Sequence, residues 1–276
     1  MHSLALVLIL VAAFVHVIPH AAIKGAADRT AFVWWMLAGT VVLYAPSVFL
    51  DRMPSPRAWL FILASGVMEV LYLFAISRAY ATGDLSVAYP LARGSAPLFL
   101  IVFSLFVLRE PLTPAGVCGV MLIAAGVYLV GGGHLVRPHH LFWPLAAGVT
   151  TATYTTIDKL GVRLVHPFLY IYLVLVVGLI GYTPLVLLHS GAAGLRRTFD
   201  AKRVLLGALT MPLAYALVLV AMRLGMLASY AGSVREVSVI VASGVGAVAF
   251  GEKVTAARIA GAAAILGGVG MIALSG

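Results

Sequence analysis

Charge is what this sequence has least of. Asp, Glu, Lys and Arg together make up 10% of its 276 residues, where a soluble domain carries about a quarter. Too little polar surface is available to cover a water-soluble globule, and that class is excluded. Cysteine is nearly absent. Cys118 is the single one, so no intrachain disulfide can form, and within its apolar run it reads as a small core residue. There is no Walker loop, no nucleophile–base arrangement and no framework of metal ligands, so enzyme function, metals and cofactors are not expected. The net charge of +9 does not describe a nucleic-acid binder either. Its bases are scattered singly over many loops, two lie inside apolar runs, and no basic stripe interleaved with aromatics exists. The first run lacks the basic start and A-x-A site of a cleaved signal peptide, so it is taken as a retained helix.

What is present is apolar length. Hydrophobic residues make up 63% of the chain, and mean hydropathy is +1.10. Ten runs of about 18–23 residues suit helices that span hydrocarbon: residues 3–23, 31–50, 58–79, 86–108, 114–133, 140–157, 167–188, 204–222, 229–250 and 256–274. The connections are short (AADRT, DRMPSPR, REPLT, GEKVT), with HSGAAGLRRTFDAK the longest. Short loops place successive helices as antiparallel neighbours and leave no inserted soluble domain. The fold class is an all-α polytopic membrane protein with ten transmembrane helices.

The runs repeat. Under a shift of 142 residues Arg93 falls on Arg235, Glu110 on Glu252, Thr113 on Thr255, Gly119 on Gly261 and Gly126 on Gly268. Apolar matches are cheap in so biased a composition, but the charged ones are not, and they mark an internal duplication. Each half, 1–138 and 139–276, holds five helices. An odd number makes the second half enter from the opposite side, giving two inverted five-helix repeats about a pseudo-twofold axis in the membrane plane. Such symmetry puts a substrate site between the halves and supplies two near-equivalent states for alternating access. Gly119, Gly126, Gly244, Gly246, Gly261 and Gly268 suit close helix packing. Pro19, Pro90, Pro97, Pro184 and Pro212 interrupt helices, and Pro90 and Pro97 predict a kink beside Arg93.

Charges inside apolar runs cost about 2.5–3.5 kcal/mol each on insertion scales, so four are singled out. Arg93 lies about 10 Å into its helix at about 1.5 Å per residue, short of the midplane, and Arg235 lies at the equivalent depth from the other face. Guanidinium forks bind carboxylate or phosphate bidentately, which makes the two a candidate clamp on an anionic group; the alternative is that each pairs structurally with a nearby Glu. Glu69, half-way along the third run, and Glu236 have no counterparts in the repeat. Either is a candidate for a substrate ammonium or a coupling proton, or else neutralises an Arg. His16 and His20 share one face at i, i+4, with Lys24 continuing the line; a polar cavity wall is favoured over a zinc pair, since no third ligand is evident. Tyr72, Tyr89, Tyr154 and Tyr215 are candidates for cavity hydroxyls. Asp158–Lys159 reads as a surface pair, and His134, His139 and His140 as solvated.

Helix ends of this kind resemble the drug/metabolite transporter superfamily, of the EamA type. The resemblance rests on LREPLTPAGVCGVMLIAAGVYLV closing one half and FGEKVTAARIAGAAAILGGVGMIAL closing the other. It implies a cavity among helices one, three, four, six, eight and nine, and both termini in the cytoplasm. Loop charge alone points the other way. Arg52, Arg57, Arg109, Lys159, Arg163 and Arg223 lie on the side of the termini, against Lys24, Arg29, Arg78, Arg137, Arg196, Arg197, Lys202, Arg203, Lys253 and Arg258. Inverted halves oppose each other's bias, and we follow the resemblance. More loosely, SRAYATGDLSVAYPLARGSAPL resembles a subgroup linked to phosphonate utilisation.

The expectation is a secondary transporter in a bacterial cytoplasmic membrane, carrying a small anionic or zwitterionic metabolite such as an amino acid or aminophosphonate. A coupling proton is a candidate partner beside the substrate and the bilayer, and monomer and homodimer both stay open. A flippase for an anionic lipid headgroup and a membrane subunit without transport of its own are the alternatives.

Overall fold

Proline and short polar caps set where the helices begin. The computed structural model describes residues 2–24, 26–82, 85–132, 141–250 and 254–275. Pro56, Pro114 and Pro167 open helices at the position where a missing N–H costs nothing. Asp28, Thr113 and Asp200 accept backbone N–H bonds from Ala31, Gly116 and Arg203, satisfying donors that a first turn leaves orphaned. The elements are α1 (His2–Lys24), α2 (Arg29–Leu43) with a 3-10 turn over Ala45–Phe49, α3 (Pro56–Thr82), α4 (Leu85–Phe106) and α5 (Pro114–Val130). The second half supplies α6 (Phe142–Gly161), α7 (Pro167–Thr198), α8 (Ala201–Arg223), α9 (Ala228–Val234), α10 (Val237–Phe250) and α11 (Ala256–Ser275). The boundary between 138 and 139 lies outside the described residues.

This is an all-helical polytopic membrane fold. Among the described residues, six stretches are long and apolar enough to cross a bilayer unaided: α1, α3, α7, α8, α9–α10 taken together, and α11. Three others are shorter apolar helices. The surface carries Phe49, Leu188, Val248 and Leu274 almost fully bare, while Arg93, Asp158, Lys159, Arg235 and Glu236 are buried. Water would invert that distribution, and lipid explains it.

The packing obeys the repeat. α1 lies along α8 as α6 lies along α3, while α2 pairs with α7 and α5 with α11. Exchanging the halves maps each pairing onto itself or its twin. The α5–α11 crossing is the closest test. A Cβ on Gly119 would come 2.7 Å from the carbonyl of Gly268, and one on Gly126 would come 2.7 Å from that of Gly261. The duplication turns one of these pairs into the other, so the axis runs between them.

Three expectations fail here. The ninth run is two helices, broken at Arg235–Glu236, where the backbone tightens to i→i−3 bonds from Glu236, Ser238 and Val239. The loop after residue 188 is instead a kink at Gly191, whose φ of +64° belongs to the left-handed region, followed by helix to Thr198. Cys118 is exposed and Gly244 has nothing within 4 Å, so neither packs in the core as expected.

Gly126→Val is expected to lower the thermal midpoint of the purified protein in detergent, at a cost of about 1–3 kcal/mol for forced overpacking. Gly270→Ala, where nothing lies within 4 Å, serves as the control. Equal melting of the two would contradict the crossing.

Candidate functional site

Side chains from α1, α3, α4, α6, α8 and the α9–α10 break converge between the halves. Arg93 of α4 is buried and pairs through one nitrogen with Glu236 Oε1 at 3.5 Å. Its other terminal nitrogen donates to His16 Nε2 at 2.7 Å. His20 Nε2 lies 3.1 Å from the same His16 nitrogen. A nitrogen that accepts from a guanidinium carries a lone pair, so His16 is neutral here. The i, i+4 spacing on α1 thus produces a real imidazole pair, and both rings lie within the field of Arg93 and Arg235. No third metal-ligating residue joins them among the described residues.

Arg235 sits differently from its repeat partner. It occupies the break between α9 and α10, 4% exposed, with its guanidinium 5.8 Å from the centre of the Tyr215 ring, within cation–π range. Its Nε has no hydrogen-bond partner, nor has Oε2 of the adjoining Glu236. One buried donor and one buried acceptor are therefore left short of partners at consecutive residues. The expected structural pairing holds for Arg93 and leaves Arg235 without an ion pair among the described residues.

Tyr72, Tyr154 and Tyr215 form a ladder of edge-to-face rings, with centroids 6.2 and 6.0 Å apart. It runs from α3 through α6 to α8 and ends beneath Arg235. The Tyr89 side chain and that of Lys24 lie outside the described residues, as do Glu252, His134, His139 and His140. Glu69 is half-buried on α3. Its Oε2 lies against Gly178 of α7, and it is within electrostatic reach of Asp158.

Asp158 and Lys159 overturn their reading as a surface pair. α6 continues four residues past Ile157, to Gly161, so both are interior, at 0% and 4% exposed. They do not face each other. Asp158 accepts the Tyr170 hydroxyl at 2.8 Å and the Tyr215 hydroxyl in a short bond. Lys159 donates to the carbonyls of Met222 and Met226 and lies 3.8 Å from Glu110. The signal for Asp158 was its i, i+4 spacing from Tyr154, which puts both on one face of α6. Chemically the cluster offers an unpaired guanidinium donor, carboxylates, imidazoles and hydroxyls in a lipid-enclosed interior. That set has the donors and acceptors that binding a small charged solute requires.

Asp158→Ala is expected to strand two buried tyrosine hydroxyls, at about 1–3 kcal/mol for each unmade bond. Asp158→Asn keeps acceptor capacity and should lose less. Thermal melts of the two variants check this; equal loss would mean the hydroxyl bonds are not what Asp158 contributes.

The model of the EamA-like transporter family matches residues 2–132. A crystal structure with no stated function superposes with a TM-score of 0.80 over 98% of each chain, at 18% identity, which shows a shared fold. No curated protein matches the sequence.

Proposed function

Since residues 2–132 belong to the EamA-like transporter family, and the chain is on that ground a membrane transporter of the drug/metabolite type, we propose that its cargo is a small anionic or zwitterionic metabolite. Movement is by alternating access across a bacterial cytoplasmic membrane. The observation that carries this reading is Arg235: a buried guanidinium at a helix break, with Nε unpartnered. A carboxylate or phosphonate oxygen supplies the missing acceptor and neutralises the charge. Arg93, already tied to Glu236 and His16, orients the far side of the site. Glu236 Oε2 or Glu69 takes an amine, which favours amino acids and aminophosphonates; Glu69 is also a candidate for the coupling proton. Tyr72, Tyr154 and Tyr215 form the wall.

The two alternatives fit less well. A groove of about 400 Å³ does open between α1, α8 and α10, lined by Phe14, Val17, Leu206 and Val241. It is apolar, and Arg203 at its edge is committed to the Ala22 carbonyl and the Phe32 ring. A lipid headgroup finds little there to read it. A purely structural role accounts for Arg93–Glu236 but leaves the Arg235 donor unexplained.

Thermal stabilisation by a panel of phosphonates, amino acids and organic anions tests the reading. At least one class should stabilise the native chain. Arg235→Ala should weaken that ligand about 10–100-fold, the equivalent of one charged hydrogen bond, and Arg93→Ala less. If the active ligand stabilises Arg235→Ala as well as the native protein, the assignment is wrong.

A further inference from the structure

The face bearing the chain termini holds a second ionic cluster that the central site does not use. There the α4–α5 turn of the first half reaches across to the start of α9 in the second. Arg109 adopts a φ of +52°, uncommon outside glycine. The carboxylate of Glu110, 8% exposed, receives the Ala228 N–H on both oxygens, at 3.1 and 2.9 Å. Ser104 Oγ accepts from the Ser229 N–H, and the Thr113 N–H donates to the Tyr230 hydroxyl. These bonds cross between the halves, so the terminal face cannot open while they hold.

Lys159 sits behind the carboxylate. Two of its hydrogens go to the carbonyls of Met222 and Met226 at the end of α8. Its nitrogen also lies 3.8 Å from Glu110 Oε1, beyond the reach of a hydrogen bond. Over the pair lies a pocket of about 260 Å³ lined by Arg109, Lys159, Arg163 and Arg223, with Glu110 the single carboxylate facing four cations. At about 30 Å³ per water, that is room for a phosphate or carboxylate group with its hydration.

We infer that this vestibule is a second anion site, for a phosphate or carboxylate group, and that filling it unlatches the terminal face. An oxyanion between Lys159, Arg163 and Arg223 gives Lys159 the short bond it lacks and competes with Glu110 for its charge. Glu110 is then a buried carboxylate facing a new negative neighbour. It leaves for water, and the start of α9 loses its cap and its tie to the first half. The ligand drives opening only to the extent that it binds the open form more tightly. The site stands apart from Arg235 and does not require the central reading.

The test uses the full chain in neutral-lipid nanodiscs, with Cys118→Ser and Met222→Cys, because Met222 is 2% exposed and lines the pocket. Labelling by a membrane-impermeant maleimide reports opening, with inorganic phosphate as the probe. Phosphate should raise the labelling rate saturably, by about tenfold or more for a shift of about 1.4 kcal/mol. Arg163→Ala and Arg223→Ala, both exposed and so tolerant of change, should raise the phosphate requirement about tenfold. Glu110→Gln should label fast without phosphate, and Lys159→Gln should not respond. If phosphate is inert but nanodiscs containing phosphatidylglycerol raise labelling in an Arg163- and Arg223-dependent way, the occupant is a lipid headgroup and the site stands. Inertness to both, or a phosphate response that survives Lys159→Gln and Arg163→Ala, overturns it. Arg235→Ala should leave the response intact, which separates this result from the fate of the central site.

Discussion

A charge held inside a lipid-enclosed bundle must be answered by a partner, and the arrangement of this protein follows from how each one is answered. Arg93 is met by Glu236 and His16, Lys159 by two carbonyls and Glu110, and Asp158 by two tyrosine hydroxyls. Arg235 has an aromatic face and an Nε without an acceptor. Leaving a charged donor short of a bond is costly in a low-dielectric interior. A site that binds anions has a reason to bear that cost, because the cargo completes it.

Duplication explains how one arginine came to differ from its twin. Both descend from the same place in the five-helix unit, and the glycine pairs of α5 and α11 show that the two units still meet across one axis. Around that axis the halves have diverged. In the first, the helix runs unbroken through Arg93; in the second, it breaks at Arg235–Glu236. One arginine is built into the frame and the other is turned to the interior. On the proposed function, symmetry is what would supply two related conformations, and this asymmetry what would separate holding from binding.

Much of this was legible in the residues. Ten apolar runs, the charged matches between halves, the imidazole spacing of His16 and His20, and the placing of Arg93, Arg235 and Glu236 inside the bundle need only period, length and the scarcity of charge. The failures have a common cause. Asp158 and Lys159 sit at the end of a run, where hydropathy trims a helix at its first charge; α6 in fact continues to Gly161 and carries them inside, whereas Glu110, beyond the end of α4, is buried by its bonds to the start of α9. The break at Arg235 has no proline to announce it. Partners between the halves, such as Glu110 on Ala228, depend on a fold that spacing along one segment does not reveal.

The claim on which the functional account turns is contact between the Arg235 guanidinium and an acidic group of the cargo. Solid-state dipolar dephasing between arginine Nε labelled with nitrogen-15 and the phosphorus of bound 2-aminoethylphosphonate reads that contact directly. The account predicts dephasing of one arginine signal in the native protein and its disappearance in Arg235→Lys. Saturable binding of the phosphonate with no dephasing of any arginine, or with dephasing unchanged in Arg235→Lys, would contradict it.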